Sequence, residues 1–290
     1  MPELSDLVAW GTDKLRHADV PSPDADVRIL LAHVLTCEPS QLFDKQSISS
    51  EQASDFERLV AQRERRIPVQ HLTHVAYFRH LTLDVGPGVF IPRPETELLA
   101  QAGIDYLNEC SMPRMAVELC AGSGAMTLAL ATEVQSVSIT AVEISSEAIA
   151  WLQRNVDRHN QLADGNGSTV TIVHADATQV DVLSQLTGQV DAIVCNPPYI
   201  PDGMIPREPE VREHDPHVAL FGGPDGLDIV RDILPVAHRL LKAGGFLGIE
   251  HADVQGESLP ALLATTGHWV QIQDHCDYNQ RPRFTTAIKA

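Results

Sequence analysis

The sequence predicts an α/β protein whose doubly wound, mostly parallel sheet follows a small helical bundle and a hairpin-like linker. Three observations lead to this fold class. Apolar residues recur every three or four positions up to about residue 66, and a stretch around residue 80 alternates apolar and polar residues. Strand-like apolar runs then alternate with helical patterns. The 290 residues suffice for two domains, one with a large core.

The first segment, residues 1–74, is predicted to be a helical domain. Proline, serine and aspartate between residues 20 and 41 supply turn and N-cap chemistry between its helices. Its apolar residues have the spacing of helix faces and fall into three groups: Leu4, Leu7, Val8, Leu15; Val27, Leu30, Leu31, Val34, Leu35; and Phe56, Leu59, Val60. The cluster of Arg63, Arg65 and Arg66 is expected to be a solvated helix end, with pairing to an acidic or ribosomal partner as the alternative.

Residues 75–92 form the predicted linker. The run from Val75 alternates apolar and polar residues and reaches the turn sequence Gly86-Pro87-Gly88, a pattern typical of a hairpin-like connection. The α/β domain is therefore predicted to occupy residues 93–290.

Five strands are predicted in the α/β domain, at residues 115–120, 137–143, 170–175, 191–195 and 244–250. Helical patterns follow them, for example from Ser145 to His159 and from Leu227 to Leu241. Consecutive β-α units produce a mostly parallel sheet covered on both faces. Ligands of such sheets bind at the carboxyl ends of the strands.

Composition narrows the function classes. A formal net charge of -18 argues against a protein that holds duplex nucleic acid by neutralising phosphates. The five cysteines are scattered without C-x-x-C spacing, which indicates neither a disulfide framework nor a zinc site. No apolar run is long enough to cross a bilayer. We expect a soluble cytoplasmic protein that is monomeric and binds no membrane.

Three of the predicted strands end in features suited to a nucleoside. Gly122 and Gly124 form a tight turn after the first strand, Glu143 ends the second, and Asp176 follows the third. An acid about 20 residues after a glycine turn can accept hydrogen bonds from ribose hydroxyls. Each feature also has a plain structural explanation, as a common turn or a solvated carboxylate. Their combination indicates a nucleoside-containing cofactor.

S-adenosylmethionine suits the glycine turn better than a dinucleotide does. The turn lacks the G-x-G-x-x-G pattern that places a pyrophosphate on a helix N-terminus. Glu118 and the amides of the turn could bind the amino acid portion, while Asp176 and Ala177 lie where adenine is expected. This arrangement puts the reactive methyl group near the end of the fourth strand.

The fourth strand runs into Asn196-Pro197-Pro198-Tyr199. A planar amide or aryl amine nitrogen is a weak nucleophile, so its N–H groups need acceptors that align it with the methyl carbon. The Asn196 side-chain carbonyl and the Pro197 backbone carbonyl can accept these hydrogen bonds, and Tyr199 can pack on the planar group. We therefore predict catalytic roles for Asn196, Pro197 and Tyr199.

Three motifs together resemble the HemK/PrmC family, the release factor glutamine methyltransferases. They are Gly86 to Glu97 (GPGVFIPRPETE), Glu118 to Gly124 (ELCAGSG) and the NPPY sequence. The resemblance extends over nearly the whole chain and implies a Rossmann-like methyltransferase fold. It also implies that S-adenosylmethionine methylates the N5 amide nitrogen of the glutamine in the Gly-Gly-Gln motif of class 1 peptide chain release factors. These factors are then the protein partners, and the helical domain is expected to recognise them.

The resemblance also implies roles for individual residues. Contacts with the cofactor are expected for the turn after the first strand and for three later strand ends: Cys120, Ala121, Gly122, Ser123, Gly124, Glu143, Ala177 and Asn196. Contacts with the glutamine are expected for Asn196, Pro197, Pro198 and Tyr199, with Phe90 and Arg93 lying against the site. Glu95 and Glu97 are candidates to anchor the loop of Arg93.

Some positions depart from the family pattern. Cys120 and Ala121 replace a Gly-Thr pair, and the segments 249–256 and 279–284 are also altered and are expected to concern the sheet edge more than the methyl site. Two other functions stay open: an adenine-N6 or guanine-N2 methyltransferase of nucleic acid, because such enzymes share NPPY, and a cofactor-binding module without turnover. The histidine spacings match no helical metal-ligand pair, so no metal is expected.

Overall fold

The computed structural model describes residues 3–44 and 47–290, which divide into two compact units. The N-terminal unit consists of the chain up to Val75 together with residues 85–87 and 206–214. The sheet unit consists of residues 76–84, 88–205 and 215–290. No helix of the described residues has the length and apolar character needed to cross a membrane.

The N-terminal unit is helical, as the sequence predicts. Its helices are α1 Leu4–His17, α2 Pro23–Val34, α3 Ser50–Glu64, α4 Val69–Thr73 and, from much later in the chain, α8 Pro209–His214. Leu15, Leu30 and Phe56 are among its fully buried side chains, because the three- and four-residue spacing puts them on the inner helix faces. A capping box between Ser49 and Gln52 starts α3.

Ion pairs connect α2, α3 and α8 within this unit. The Arg63 guanidinium lies 2.7 Å from both Asp26 and Glu210 and is only 5% exposed. Arg66 donates two hydrogen bonds, of 2.8 and 2.7 Å, to the same Glu210 carboxylate. Burial raises the pKa of Glu210, but the hydrogen bonds from Arg66 and Arg63 outweigh burial and hold it at about 2. The expected solvated arginine cluster is therefore wrong for Arg63 and Arg66, which pair inside the unit.

The sheet unit alternates strands and helices in the predicted order. Its elements are β1 Val75–Phe78, β2 Leu81–Asp84, α5 Thr96–Glu109, β3 Arg114–Leu119, α6 Ala125–Glu133, β4 Val137–Glu143, α7 Ser146–Gly165, β5 Thr169–His174, β6 Val190–Cys195, α9 Asp228–Leu240, β7 Leu241–Glu250, α10 Ser258–Thr266, β8 Trp269–Cys276 and β9 Pro282–Lys289. β1 and β2 form a two-stranded sheet, in agreement with the hairpin-like pattern around residue 80.

The remaining seven strands form one sheet in the order β5-β4-β3-β6-β7-β9-β8. All neighbours from β5 to β7 are parallel, whereas β9 pairs antiparallel with β7 and β8. The chain reverses its direction of winding between β3 and β6, so the carboxyl ends of these two strands border a crevice. The predicted doubly wound, mostly parallel sheet is confirmed.

The apolar runs explain which strands the sequence reveals. Every residue of β6 is buried, as expected for a central parallel strand covered on both faces. β8 lies at the sheet edge, and most of its residues are exposed or half-buried, so its polar sequence gives little strand signal. Neither β8 nor β9 is predicted from the sequence, and for β8 its exposed position at the sheet edge is the reason.

The buried ion pairs lead to a stability prediction. Arg63→Ala should lower the free energy of unfolding by about 3 kcal/mol, because it leaves Asp26 buried without its cation. Arg58 pairs with Asp55 on the exposed side of the same helix, and Arg58→Ala should cost under about 0.5 kcal/mol. Urea unfolding followed by the fluorescence of Trp10, which packs against Phe56, measures both. Equal costs for the two variants would contradict a structural role of the buried network.

Candidate active site at the carboxyl ends of the strands

The parallel register brings the predicted site residues to one edge of the sheet. Leu119, at the end of β3, pairs with Val142 of β4 on one side and with Cys195 of β6 on the other. The turn after β3 therefore starts between Glu143 and Asn196, the residues that immediately follow these partners. The switch point between β3 and β6 thus joins two of the sequence motifs.

The turn after β3 has the backbone conformation that glycine favours. Gly122 has a φ of 54°, and a Cβ at this position would meet no atom within 4 Å, so the backbone faces open space. Gly124 has a φ of 82°, and a Cβ there would lie 2.3 Å from Leu152. Ala121 is buried and donates to the carbonyl of Val142 over 3.0 Å. The open side at Gly122 is suited to close approach of a ligand.

Cys120 is the non-glycine residue of this turn with a left-handed backbone, at a φ of 60°. Its side chain packs against the core cluster that contains Cys195. Burial raises the pKa of the Cys195 thiol. The added side chain is thus accommodated by the core and leaves the open side at Gly122 unobstructed.

Ser123 is tied to the hairpin by a buried asparagine. The Asn155 amide donates to the Ser123 carbonyl over 3.0 Å and to the Asp84 carbonyl over 2.9 Å. The Asn155 side-chain oxygen also accepts from the Asp84 amide. α7 and β2 therefore hold the turn from behind.

Glu143 ends β4 with a buried carboxylate. Its Oε2 accepts from the Gly122 amide over 2.7 Å, and its Oε1 accepts from the amides of Ile144 and Ser145 over 2.8 Å. A carboxylate oxygen can accept about two hydrogen bonds, so Oε2 keeps a free position. Glu143 both anchors the glycine turn and retains capacity for one further donor, such as a ribose hydroxyl.

Glu118 lies inside β3 with only 2% of its surface exposed. It accepts hydrogen bonds from the amide, over 2.6 Å, and from the hydroxyl of Thr127. Burial raises the pKa of this carboxyl to about 8, although the hydrogen bonds from Thr127 oppose the rise. A cationic ligand group nearby would stabilise the ionised form.

In the loop after β5, the polar side chain of Asp176 is hydrogen-bonded to residues of the same loop. Asp176 accepts hydrogen bonds from the amide and hydroxyl of Thr178, over 2.9 and 2.6 Å, and from Gln179 over 3.1 Å. Partial burial raises the pKa of Asp176, but the hydrogen bonds from Thr178 outweigh it and the net pKa is lowered. Ala177 is buried against the core. Asp176 thus shapes this loop as well as lying at a strand end.

The NPPY segment, residues 196–199, leaves β6 with its first and last side chains anchored. The Asn196 Nδ2 lies 3.4 Å from the Thr96 hydroxyl, and the Tyr199 hydroxyl lies 3.3 Å from Oε1 of Glu250. Pro197 is buried and Pro198 is half-buried. Burial raises the pKa of the Tyr199 phenol, so it stays neutral and donates.

Two glycines of the following loop pack on the NPPY backbone. A Cβ at Gly222 would lie 2.4 Å from the Pro198 carbonyl, and one at Gly226 would lie 2.1 Å from the Tyr199 carbonyl. The Gln255 amide donates to this Tyr199 carbonyl over 3.0 Å. The NPPY backbone is therefore held rigidly, as a positioning site requires.

Phe90 and Arg93 lie on the loop before α5. The Arg93 guanidinium stands 5.1 Å from the Phe90 ring centroid and 2.9 Å from Oδ2 of Asp215. Burial raises the pKa of Asp215 to about 6, and the Arg93 charge opposes the rise. The positive charge of Arg93 also opposes the rise in the pKa of Tyr199.

Of the two acids proposed to anchor this loop, Glu97 binds the hairpin. Its carboxylate accepts from the Arg79 amide over 2.7 Å. The residue that reaches NPPY is instead Thr96, which sequence reasoning missed.

Sequence reasoning also missed Glu250, Gln255 and Arg283. The expectation that the segments 249–256 and 279–284 concern the sheet edge more than the methyl site is wrong for Glu250 and Gln255, which hydrogen-bond Tyr199. The positive charge of Arg283 also lowers the pKa of Glu250. An acid at the end of a buried strand was the available signal, since Glu143 had been singled out on that basis. Among the described residues, no three His, Cys, Asp or Glu side chains are grouped to hold a metal.

Comparison with known proteins identifies two matching family models. The PrmC N-terminal domain matches residues 6–73, and the methyltransferase small domain matches residues 72–205. The second match includes the glycine turn, Glu143 and NPPY.

Individual relatives are similar to this chain over nearly its full length. A release factor glutamine methyltransferase of Streptomyces coelicolor is 43% identical over 98% of this chain and 97% of its own. A 4-amino-L-phenylalanine/4-methylamino-L-phenylalanine methyltransferase of Streptomyces pristinaespiralis is 35% identical over 92% of this chain and 89% of its own. Among solved structures, a Thermus thermophilus 16S rRNA guanine-N2 methyltransferase with S-adenosylmethionine and guanosine has a TM-score of 0.51 at 22% identity, covering 74% of this chain and 50% of its own. The last likeness shows the fold alone.

Proposed function

We propose that this chain, which belongs to the family of release factor glutamine methyltransferases, methylates the N5 amide nitrogen of the glutamine in the Gly-Gly-Gln motif of class 1 peptide chain release factors. The observation that carries the proposal is the NPPY segment at the end of β6, beside the glycine turn after β3. The chain is thereby assigned as a protein-(glutamine-N5) methyltransferase.

The proposed cofactor is S-adenosylmethionine, which supplies a methyl carbon bonded to a positively charged sulfur. The residues present fit this group. Gly122 turns its backbone to open space, Glu143 keeps an acceptor position for a ribose hydroxyl, and the buried Glu118 can pair with an ammonium group. Asp176 and Ala177 would lie beside the adenine, with Asp176 also ordering its own loop.

The proposed substrate group is a primary amide. The Asn196 side-chain oxygen and the Pro197 carbonyl would accept its two N–H bonds and fix the plane of the nitrogen. Pro198 and Tyr199 would line the same pocket, and Phe90 and Arg93 would close it from the loop before α5. Alignment is the main contribution, because the lone pair of an amide nitrogen is delocalised.

The charge of the chain separates this proposal from methylation of nucleic acid. A nucleobase amino group is also planar and could enter an NPPY site once it is flipped out of a helix. The net charge of -18 provides no surplus of cations for the phosphate backbone. The Streptomyces pristinaespiralis relative acts on an aryl amine according to its name, so a free aromatic amino acid is the second candidate substrate.

We propose that the N-terminal unit recognises the body of the release factor. One glutamine side chain resembles any other, so selectivity requires contacts away from the reacting amide. We further propose a monomer that acts in the cytoplasm without binding nucleic acid; co-sedimentation with RNA or a dimer mass in light scattering would contradict this.

The substrate is tested with radiolabelled S-adenosylmethionine. Intact release factor should be labelled, while the same factor with Gln→Ala in its Gly-Gly-Gln motif should not. A short Gly-Gly-Gln peptide should have a much lower kcat/KM, because it lacks the surface for the N-terminal unit. Label in DNA, RNA or 4-aminophenylalanine instead of the release factor would overturn the proposed substrate.

Asn196 is the residue on which the chemistry depends most. Asn196→Ala should lower kcat by about two orders of magnitude or more, because the amide loses an acceptor and is misaligned. Stopped-time methylation assays measure the loss, and circular dichroism controls for folding. Val180→Ala, at an exposed residue of the same unit, serves as the matched control and should keep full activity. Activity of Asn196→Ala within a few-fold of wild type would remove Asn196 from the catalytic role.

Glu143 tests the cofactor site. Glu143→Ala should weaken S-adenosylmethionine binding by roughly 1.5 to 3 kcal/mol, through loss of the ribose contact and of the anchored Gly122 amide. Isothermal titration calorimetry measures the affinity, and the exposed Asp181→Ala is the control. Unchanged affinity in Glu143→Ala would move the ribose contact to another residue.

A further inference from the structure

A buried carboxyl group lies behind the NPPY segment and has no part in the chemistry assigned so far. Glu250 is the last residue of β7 and is 1% exposed. Its Oε1 accepts from the Tyr199 hydroxyl, and its Oε2 is buried without a hydrogen-bond partner among the described residues. A buried polar atom without a partner is costly, so its retention calls for an explanation.

Thr96 lies between this carboxyl and Asn196. It is the first residue of α5, is buried, and its hydroxyl oxygen is 3.4 Å from the Asn196 Nδ2. The Thr96 hydroxyl also lowers the pKa of the Glu250 carboxyl, against the larger effect of burial. A hydroxyl has one hydrogen to donate and lone pairs that accept. The neighbour that receives this hydrogen therefore decides whether the other neighbour meets a donor or an acceptor.

The charge state of Glu250 therefore determines how the Asn196 amide is oriented. An ionised carboxylate only accepts, so it draws the Thr96 hydrogen and leaves the Thr96 oxygen to accept from Asn196. Asn196 must then turn its NH₂ to Thr96 and its oxygen to the opposite side. A protonated Glu250 can donate to Thr96, which then donates to the Asn196 side-chain oxygen and leaves the Asn196 NH₂ on the side opposite Thr96.

We propose that Glu250 is a positioning residue that acts through Thr96 to turn the Asn196 carbonyl oxygen toward the substrate amide. The inference rests on the proposed function, since an amide substrate presents N–H groups that need an acceptor. With the Asn196 amide reversed, two donors would face each other and the nitrogen would lose its alignment. Methyl transfer is thus fastest when Glu250 is ionised.

The surroundings of Glu250 place its ionisation in the physiological range. Burial raises the pKa of Glu250 to about 7, with Thr96, Arg283 and Tyr199 opposing the rise and the charge of Glu95 adding to it. The charged and titratable groups around it come from the loop before α5, from β6 and NPPY, and from β9: Glu95, Cys195, Tyr199 and Arg283. The Arg283 guanidinium also forms an ion pair with Asp277. Nε2 of the neighbouring His251 lies 2.9 Å from Oδ1 of Asp274.

The sign of the pH dependence follows. Above about pH 7 the carboxylate is ionised and Asn196 is oriented for the substrate. As the pH falls through this value, kcat should decrease by about three- to tenfold and then level off at the rate of the protonated form. The affinity for S-adenosylmethionine should change little, because Glu250 lies behind the substrate side of the site.

Three variants distinguish a positioning role of Glu250 and Thr96 from a role in folding alone. Glu250→Gln cannot ionise, and its kcat should be about three- to tenfold below wild type at pH 8 and nearly constant from pH 6 to 8. Thr96→Val removes the hydroxyl and should have the same flat profile. Thr96→Ser keeps the hydroxyl and should retain both the rate and the pH dependence of wild type. Near-ultraviolet circular dichroism confirms that each variant is folded.

A second measurement does not depend on activity. In the free wild-type enzyme, the ¹⁵N and ¹H shifts of the Asn196 side-chain NH₂, assigned by their loss in Asn196→Asp, should titrate near pH 7. The titration should vanish in Glu250→Gln and persist in Thr96→Ser. A folded wild type whose Asn196 signals do not titrate, or a Glu250→Gln profile that matches wild type, overturns the inference. Failure to methylate a release factor with the titration intact would overturn the proposed function and leave the Glu250 relay standing.

Discussion

Buried carboxyl groups at the ends of parallel strands are the constraint on which this site depends. Each must be compensated where water is excluded, and the chain does so in three ways. Glu143 is surrounded by three backbone amides and remains a fixed acceptor. Glu118 is compensated by Thr127 alone, so its pKa rises to about 8. Glu250 meets a phenol and a threonine and titrates near neutrality. Glutamates at or next to the ends of parallel strands thereby acquire different properties.

Backbone packing provides the rigidity that these carboxyl groups then use. The loop with Gly222 and Gly226 approaches the carbonyls of Pro198 and Tyr199 more closely than any side chain would allow. Gln255 links the Tyr199 carbonyl to that of Asp225 over 3.0 and 2.9 Å. Pro197 and Pro198 fix the backbone dihedral angle φ within NPPY. Gly222 and Gly226 let the following loop pack closely on the NPPY backbone and restrain it from outside. NPPY is thus restrained from within and from outside, as alignment of a weak nucleophile requires.

The sequence could predict the sheet because its strands are apolar runs with a regular period. It could also predict Glu143, because an acid that ends a strand about 20 residues after a glycine turn is a pattern visible along the chain. The partner of Glu250 could not be found in this way, since Thr96 lies on a helix far away in the chain and only the folded sheet brings the two together. The pairing of Arg63 with Glu210 is non-local for the same reason. Local patterns therefore locate the strand ends, and tertiary structure determines what each carboxylate meets.

Residues 206–214 belong to the N-terminal unit although most of the sheet unit precedes them in the chain. The N-terminus of a chain leaves the ribosome first, so most of the helical unit emerges before the sheet unit. Arg63 and Arg66 nevertheless have no Glu210 to pair with until residue 210 has left the exit tunnel. By then the strands from β3 to β6 have already been synthesised. Completion of the first unit thus waits for the NPPY segment, and the order of synthesis couples maturation of the helical unit to that of the catalytic motif.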